Sequence, residues 1–142
     1  MRSGICETPE HVPVVDASVL VEFLAGERHA RATTSRALTA AEPVWTPELA
    51  DAEVGHVLRK AVHAGALRLS TARTALQDLA DMPLHRARHV GLLDRAWALR
   101  ANVTFYDGLY VALAERLDMK LLTLDARLTR VPTLGGRVQV IS

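Results

Sequence analysis

A chain of 142 residues, 49% hydrophobic and 23% charged, is long enough to bury one sizeable core and too apolar to be disordered as a whole. Its net charge of +1, from 17 basic and 16 acidic side chains, gives no global argument for a nucleic-acid or membrane surface. Cys6 is the only cysteine, which excludes an intrachain disulfide and a thiolate metal cluster, and no stretch approaches the roughly 20 apolar residues that span a bilayer. These features read as a cytoplasmic protein without membrane contact. The basic residues are nearly all Arg, with Lys60 and Lys120 the exceptions. Arg suits bidentate phosphate contacts, but genomic base composition explains the bias equally well.

Residues 1–11 are polar, carry Pro9, lack the apolar core of a signal peptide and read as a loose extension. Residues 12–142 read as one domain. Its first strand is the apolar run Val12 to Val15, followed by a helix from Ala17 to Ala25 that Gly26 closes as a C′ residue. An Ala-rich helix is expected over His29–Ala41, then a short extended piece, Glu42-Pro43-Val44-Trp45. Thr46 as cap, Pro47 at the first position and Glu48 at the positive dipole end mark the next helix start, and Gly65 its end. Ser70 caps a helix reaching about Asp81, with Ala72, Leu76, Leu79 and Ala80 inward. Pro83 to Arg86 is a short strand candidate. His89–Ala101 has the pattern of an amphipathic helix with Leu92, Leu93, Ala96, Trp97 and Leu99.

The last third is the most strongly patterned. Thr104 caps a helix in which Tyr106, Leu109, Tyr110, Leu113 and Leu117 recur at helical spacing. Asp118-Met119-Lys120 turns the chain into the strand Leu121–Leu124, Arg127–Val131 allows a helical turn, and Gly135-Gly136 leads to a final strand over 137–141. Short apolar strands alternating with longer helices predict a three-layer α/β/α domain with a mainly parallel sheet. The expected core includes Val14, Val15, Leu20, Phe23, Leu49, Val54, Leu58, Leu113, Leu121, Leu122 and Val140.

Asp16 and Asp125 each follow an apolar strand, and in an open parallel sheet the carboxyl ends of the strands form the ligand crevice. Glu53 shares a helix row with Leu49 and Val57, which points a charge toward the packed side. Asp107 lies in the first turn of its helix. Each acid alone has a bland account: helix cap for Asp16 and Asp125, an Arg salt bridge for Glu53, a dipole role for Asp107. Ser18 could bond the Asp16 carboxylate or its loop. Four carboxylates carried to one sheet edge cannot all ionise unaided, and a divalent cation with oxygen ligands is the economical explanation. Such a cation points to phosphodiester chemistry. Asp51 reads as solvated. The histidines offer no rival site: His56 and His63 are too widely spaced for a shared ion, and a strand-to-helix boundary separates His85 from His89. No Walker loop, dinucleotide fingerprint or nucleophile elbow occurs.

Four segments in order carry a resemblance. Val14-Val15-Asp16-Ala17-Ser18, the stretch from Pro47 to Val54 around Glu53, the stretch from Tyr106 to Ala114 around Asp107, and Leu121 to Asp125 resemble the successive motifs of a PIN domain. The compact length makes the chain most similar to the VapC-type toxins of bacterial toxin–antitoxin pairs. The resemblance implies an endoribonuclease dependent on Mg²⁺ or Mn²⁺, with Asp16, Glu53, Asp107 and Asp125 as catalytic and metal-binding acids and Ser18 and Thr123 in support. It implies a VapB-type antitoxin, a tRNA or rRNA substrate, a homodimer, and a higher complex with the antitoxin. Two features depart from the family pattern: the stretch before Val12 is long, and Gly108 stands where Ala is common, which should loosen that helix turn. Two other readings compete. A PIN-like scaffold that only binds would carry an idle, self-repelling acid cluster. A phosphatase or receiver domain would need a second acid beside Asp16 or a Lys after the last strand, and neither is there.

Overall fold

The computed structural model describes residues 13–39 and 44–141. The expected extension, Val12, and the Ala40–Pro43 part of the predicted helix and extended piece lie outside the described residues. Among the described residues, β1 (Val14–Val15), β2 (Trp45–Pro47), β3 (His85–Ala87), β4 (Leu121–Thr123) and β5 (Val138–Val140) form one sheet in the order β3-β2-β1-β4-β5. Every pairing is parallel, with Val14 opposite both Trp45 and Leu121. The order reverses between β1 and β4, so the crevice beyond their carboxyl ends is the topological switch point. The central strands β1 and β4 read as apolar runs because both of their faces are covered; Val14, Val15, Leu121 and Leu122 are all in the core.

Among the described residues, six helices cover the two faces: α1 (Ala17–Ala25), α2 (Arg28–Thr39), α3 (Leu49–His63), α4 (Leu69–Asp81), α5 (Leu93–Ala98) and α6 (Phe105–Arg116). Helix α1 packs on α2, α3 and α4, whereas α6 packs on α5 and crosses β2, β1 and β4. This is the three-layer arrangement expected from the strand–helix alternation. Helix α6 is buried nearly all round from Gly108 to Ala114, as a helix lying between a sheet and a second helix must be. Among the described residues, no helix is long and apolar enough to cross a membrane.

Several local readings are corrected. Thr46 does not cap α3. It is fully buried in β2, and its hydroxyl donates to the Val15 carbonyl at 2.9 Å, because strand pairing claims Trp45–Pro47. Helix α3 instead starts after Glu48, and its Leu49 N–H donates to His89 Nε2 at 3.0 Å, a cap delivered from 40 residues away. Helix α4 begins one residue before Ser70, with Arg68 at the cap position; Ala72 and Leu79 are buried, but Leu76 and Ala80 face out. The segment His89–Ala101 splits into a 3₁₀ turn, Val90–Leu92, and the short α5; Leu92, Ala96 and Leu99 are buried, but Trp97 is 59% exposed and stacks under the Arg100 guanidinium at 4.7 Å.

Gly26 closes α1 with an extended φ of −73°, so no left-handed C′ residue is used there, whereas Gly65 after α3 adopts φ +73°. Gly135-Gly136 falls inside a 3₁₀ turn, Pro132–Arg137, ahead of β5. Phe23 and Leu49 are partly buried against the core, and Val140, expected within it, is partly exposed and outside it. Gly108 also has a packing role between helices. A Cβ there would stand 3.0 Å from the Ala96 carbonyl oxygen, so the bare Cα lets α5 and α6 approach closely.

Candidate active site

Backbone pairing carries Asp16 to the switch point: its N–H donates to the Leu122 carbonyl at 3.2 Å, extending the β1–β4 ladder by one residue. The chain then turns into α1 with Asp16 as N-cap, its carboxylate accepting from Val19 N–H at 3.2 Å. The Ser18 hydroxyl donates to the same oxygen at 2.5 Å and accepts the Leu124 N–H at 3.1 Å. Ser18 therefore ties the start of α1 to the end of β4. The buried Thr123 hydroxyl accepts the Asp125 N–H at 2.9 Å and helps to lower the pKa of Asp16.

Glu53 lies one turn into α3, which follows β2. Its partner is Tyr110, whose hydroxyl donates to Glu53 Oε1 at 2.7 Å; no Arg is bonded to it among the described residues. The row argument that placed Glu53 inward holds for Glu53, although Val57 in the same row is 43% exposed. Asp107 stands in the first turn of α6, where Thr104 caps the helix by accepting the Asp107 N–H at 3.1 Å. Asp125 follows β4 and caps the 3₁₀ turn Ala126–Arg130. Asp51, read as solvated, instead pairs with Arg86 at 2.8 Å, and Arg86 also donates to the Leu79 carbonyl, which pins β3 to α3 and α4.

The four carboxylates interact electrostatically in a chain. Asp107 repels Asp16 and Glu53, Asp16 repels Glu53, and Asp125 repels Asp107. Burial raises the pKa of Asp16, Glu53 and Asp107 above the ordinary carboxylate value, and these like charges raise it further. Hydroxyl partners offset part of the rise: Ser18 and Thr123 for Asp16, Tyr110 for Glu53, Thr104 for Asp107. The Tyr110 hydroxyl is itself pushed far up, first by burial and then by the Glu53 charge, so it stays a proton donor. Asp125 goes the other way. Arg127 grips both of its oxygens, Nε at 2.9 and 3.2 Å and Nη2 at 2.8 Å, and holds its pKa below the ordinary value.

An all-oxygen, mutually repelling donor set suits a hard divalent cation. As the side chains stand, no group of three His, Cys, Asp or Glu among the described residues is arranged to hold one. Glu53 is bonded through one oxygen to Tyr110, and Asp125 is paired with Arg127.

The PIN domain family model matches residues 14–134. The chain belongs to the PIN-domain family. Within it the chain is similar to Ribonuclease VapC1 of Mycobacterium tuberculosis, 44% identical over 129 residues that span 90% of this chain and 96% of the relative. Ribonuclease VapC3 of Pyrobaculum aerophilum is 37% identical over 119 residues, 81% of this chain and 90% of the relative. Among solved structures, a toxin–antitoxin complex from Klebsiella pneumoniae shares the fold, with a TM-score of 0.60 at 19% identity, over 89% of this chain and 95% of that one. The PIN-domain match brackets all four acids and their supporting hydroxyls.

Sequence reasoning did not assign Tyr110, Arg127 or His89 to this region. Tyr110 was readable from its position three residues after Asp107, which puts both on one side of α6. Arg127 was signalled by its place two residues after a strand-end acid. Nothing local marks His89, whose role depends on a tertiary contact.

Proposed function

We propose that this protein is an endoribonuclease toxin dependent on Mg²⁺ or Mn²⁺, acting in the cytoplasm on a structured RNA such as tRNA or rRNA. A VapB-type antitoxin holds it in check, and the active species is a homodimer that enters a larger complex with that antitoxin. The observation that carries the reading is the switch-point cluster: Asp16, Glu53 and Asp107 are partly buried, repel one another, and among the described residues neither Asp16 nor Glu53 faces a cationic side chain. Its likeness to proteins named as VapC ribonucleases over nearly their full length supports RNA as the substrate.

Asp16, Glu53, Asp107 and Asp125 would hold the ion. When bound, a divalent cation supplies a strong nucleophile at neutral pH and neutralises charge at the scissile phosphate. The protein's own work is positioning. Ser18 holds the Asp16 carboxylate and Tyr110 holds Glu53, so these side chains have little freedom left to lose when an ion binds. In hydrolysis, water adds to phosphorus, the bond to the 3′ oxygen breaks, and that oxygen takes the proton. The product then carries a 5′-phosphate and a 3′-hydroxyl. A scaffold that only binds would keep the repulsion of these acids and gain nothing from it.

The test is cleavage of a structured RNA by purified protein freed of its antitoxin. Chelation should abolish cleavage, Mg²⁺ or Mn²⁺ should restore it, and the new ends should be 5′-phosphates. Cleavage that persists in chelator, or that leaves cyclic phosphates, would refute the proposal.

A further inference from the structure

Arg127 stands apart from the other arginines that pair with acids. Arg86, Arg95 and Arg137 bond Asp51, Glu115 and Asp118, none of them in the acid cluster. Arg127 bonds Asp125 through a full fork and its charge also reaches Asp107. Both Asp125 oxygens are engaged by that fork, so an ion approaching them meets a positive charge already in place. The Arg127 side chain is 85% exposed, so moving the fork into water is cheap. The Arg127 backbone N–H donates separately to Asp125 Oδ1 at 3.0 Å. Departure of the guanidinium therefore leaves Asp125 anchored in place by the turn.

We propose that Arg127 stands in for the cation on the Asp125 side of the crevice. It holds the carboxylate while no divalent ion is bound, yields it when one arrives, and then takes a backbone phosphate of the RNA. This rests on the metal-dependent reading above. The geometry argues for exchange over a permanent ion pair. Asp125 is the partner through which the fork is held, so a displaced guanidinium becomes an unpartnered planar donor at the mouth of a polyanion-binding crevice. Phosphate matches that fork as well as carboxylate does. Arg127 is thus a positioning residue toward the ion and a contact residue toward the substrate.

The experiment uses the full chain with no RNA present and titrates Mn²⁺ calorimetrically into the wild type, Arg127→Ala and Arg127→Lys. Removal of the competing fork should make Mn²⁺ binding severalfold tighter in Arg127→Ala, with Arg127→Lys between the two. A second titration follows a labelled RNA by anisotropy, with Ca²⁺ replacing Mn²⁺ to hold back cleavage. There Arg127→Ala should bind severalfold more weakly, and its salt dependence should fall by about one phosphate contact. Unchanged or weaker Mn²⁺ affinity in Arg127→Ala overturns the exchange, as does unchanged RNA affinity. If the wild type itself binds no Mn²⁺, the metal-dependent reading falls together with this one; if it binds and the variant matches it, only this one falls.

Discussion

The two sides of the acidic crevice solve the same electrostatic problem differently. On the β1 side, Asp16 and Glu53 are held by hydroxyls and a backbone N–H, which orient a carboxylate without cancelling its charge. On the β4 side, Asp125 is neutralised by a guanidinium two residues away. Burial dominates for the first pair and the Arg127 hydrogen bonds dominate for Asp125. The first group has raised pKa values and the second a lowered one. One side of the crevice is thus short of positive charge, whereas the other already carries its own.

The sharpest way to break this contrast is Asp16→Asn. The amide can still accept from Ser18 and Val19, so the α1 cap survives while the charge is removed. RNA cleavage should fall by more than about a hundredfold, the scale on which loss of a charge-stabilising group acts in an active site. Folding, followed by circular dichroism, should be intact. Asp16→Ala is the poorer variant, because it also removes the cap and costs about 1 kcal/mol.

Next in size is Tyr110→Phe, which frees Glu53 from its hydroxyl partner. Loss of such a supporting hydrogen bond should weaken Mn²⁺ binding by roughly ten- to a hundredfold, read by calorimetry. An unchanged affinity would mean that Glu53 needs no orientation from α6.

Smaller is the pH dependence of stability without metal. Asp16, Glu53 and Asp107 have folded pKa values above 3.8, 4.5 and 3.8, so their stabilising contribution is complete below those values and is lost as pH rises through the raised ones. At neutral pH Asp16→Asn should therefore melt a few degrees above the wild type, and the gap should close as pH falls into the ordinary carboxylate range. Asp125 has the opposite sign, with stability lost only as pH falls through its lowered value, but it is too solvated to set the trend. A gap that widens on acidification would contradict the assignment of burial as the main cause. The smallest effect belongs to Gly108→Ala. Crowding against Ala96 and the gain in helix propensity oppose each other, leaving a net loss of about 1 kcal/mol in denaturant melts.

How much of this was legible in the sequence depended on the range of the interaction. Strand-end acids and apolar runs are local signals, and they led to the parallel sheet and to the placement of Asp16 and Asp125 beside adjacent strands. Thr104 caps α6 as its spacing indicated, because nothing tertiary competes for it. Thr46 has the same local credentials, yet sheet pairing with β3 takes it into a strand and buries its hydroxyl against Val15. The Arg86–Asp51 pair and the His89 cap on α3 link segments 35 and 40 residues apart and leave no periodic trace. The close approach of Gly108 to Ala96 left no trace in the sequence, because it joins two different helices.

The central claim is that the half-buried acids of the crevice are ionised for the sake of a cation. Calorimetric titration of Mn²⁺ into the wild type and into an Asp16→Asn, Asp107→Asn double variant tests it most directly. Both substitutions keep the side-chain volume, the amide at position 16 can still accept from Ser18, and the Thr104 cap bonds the backbone N–H of residue 107, so the fold should persist. The account expects clear binding by the wild type and none by the double variant. Equal Mn²⁺ affinity in the two proteins would contradict it.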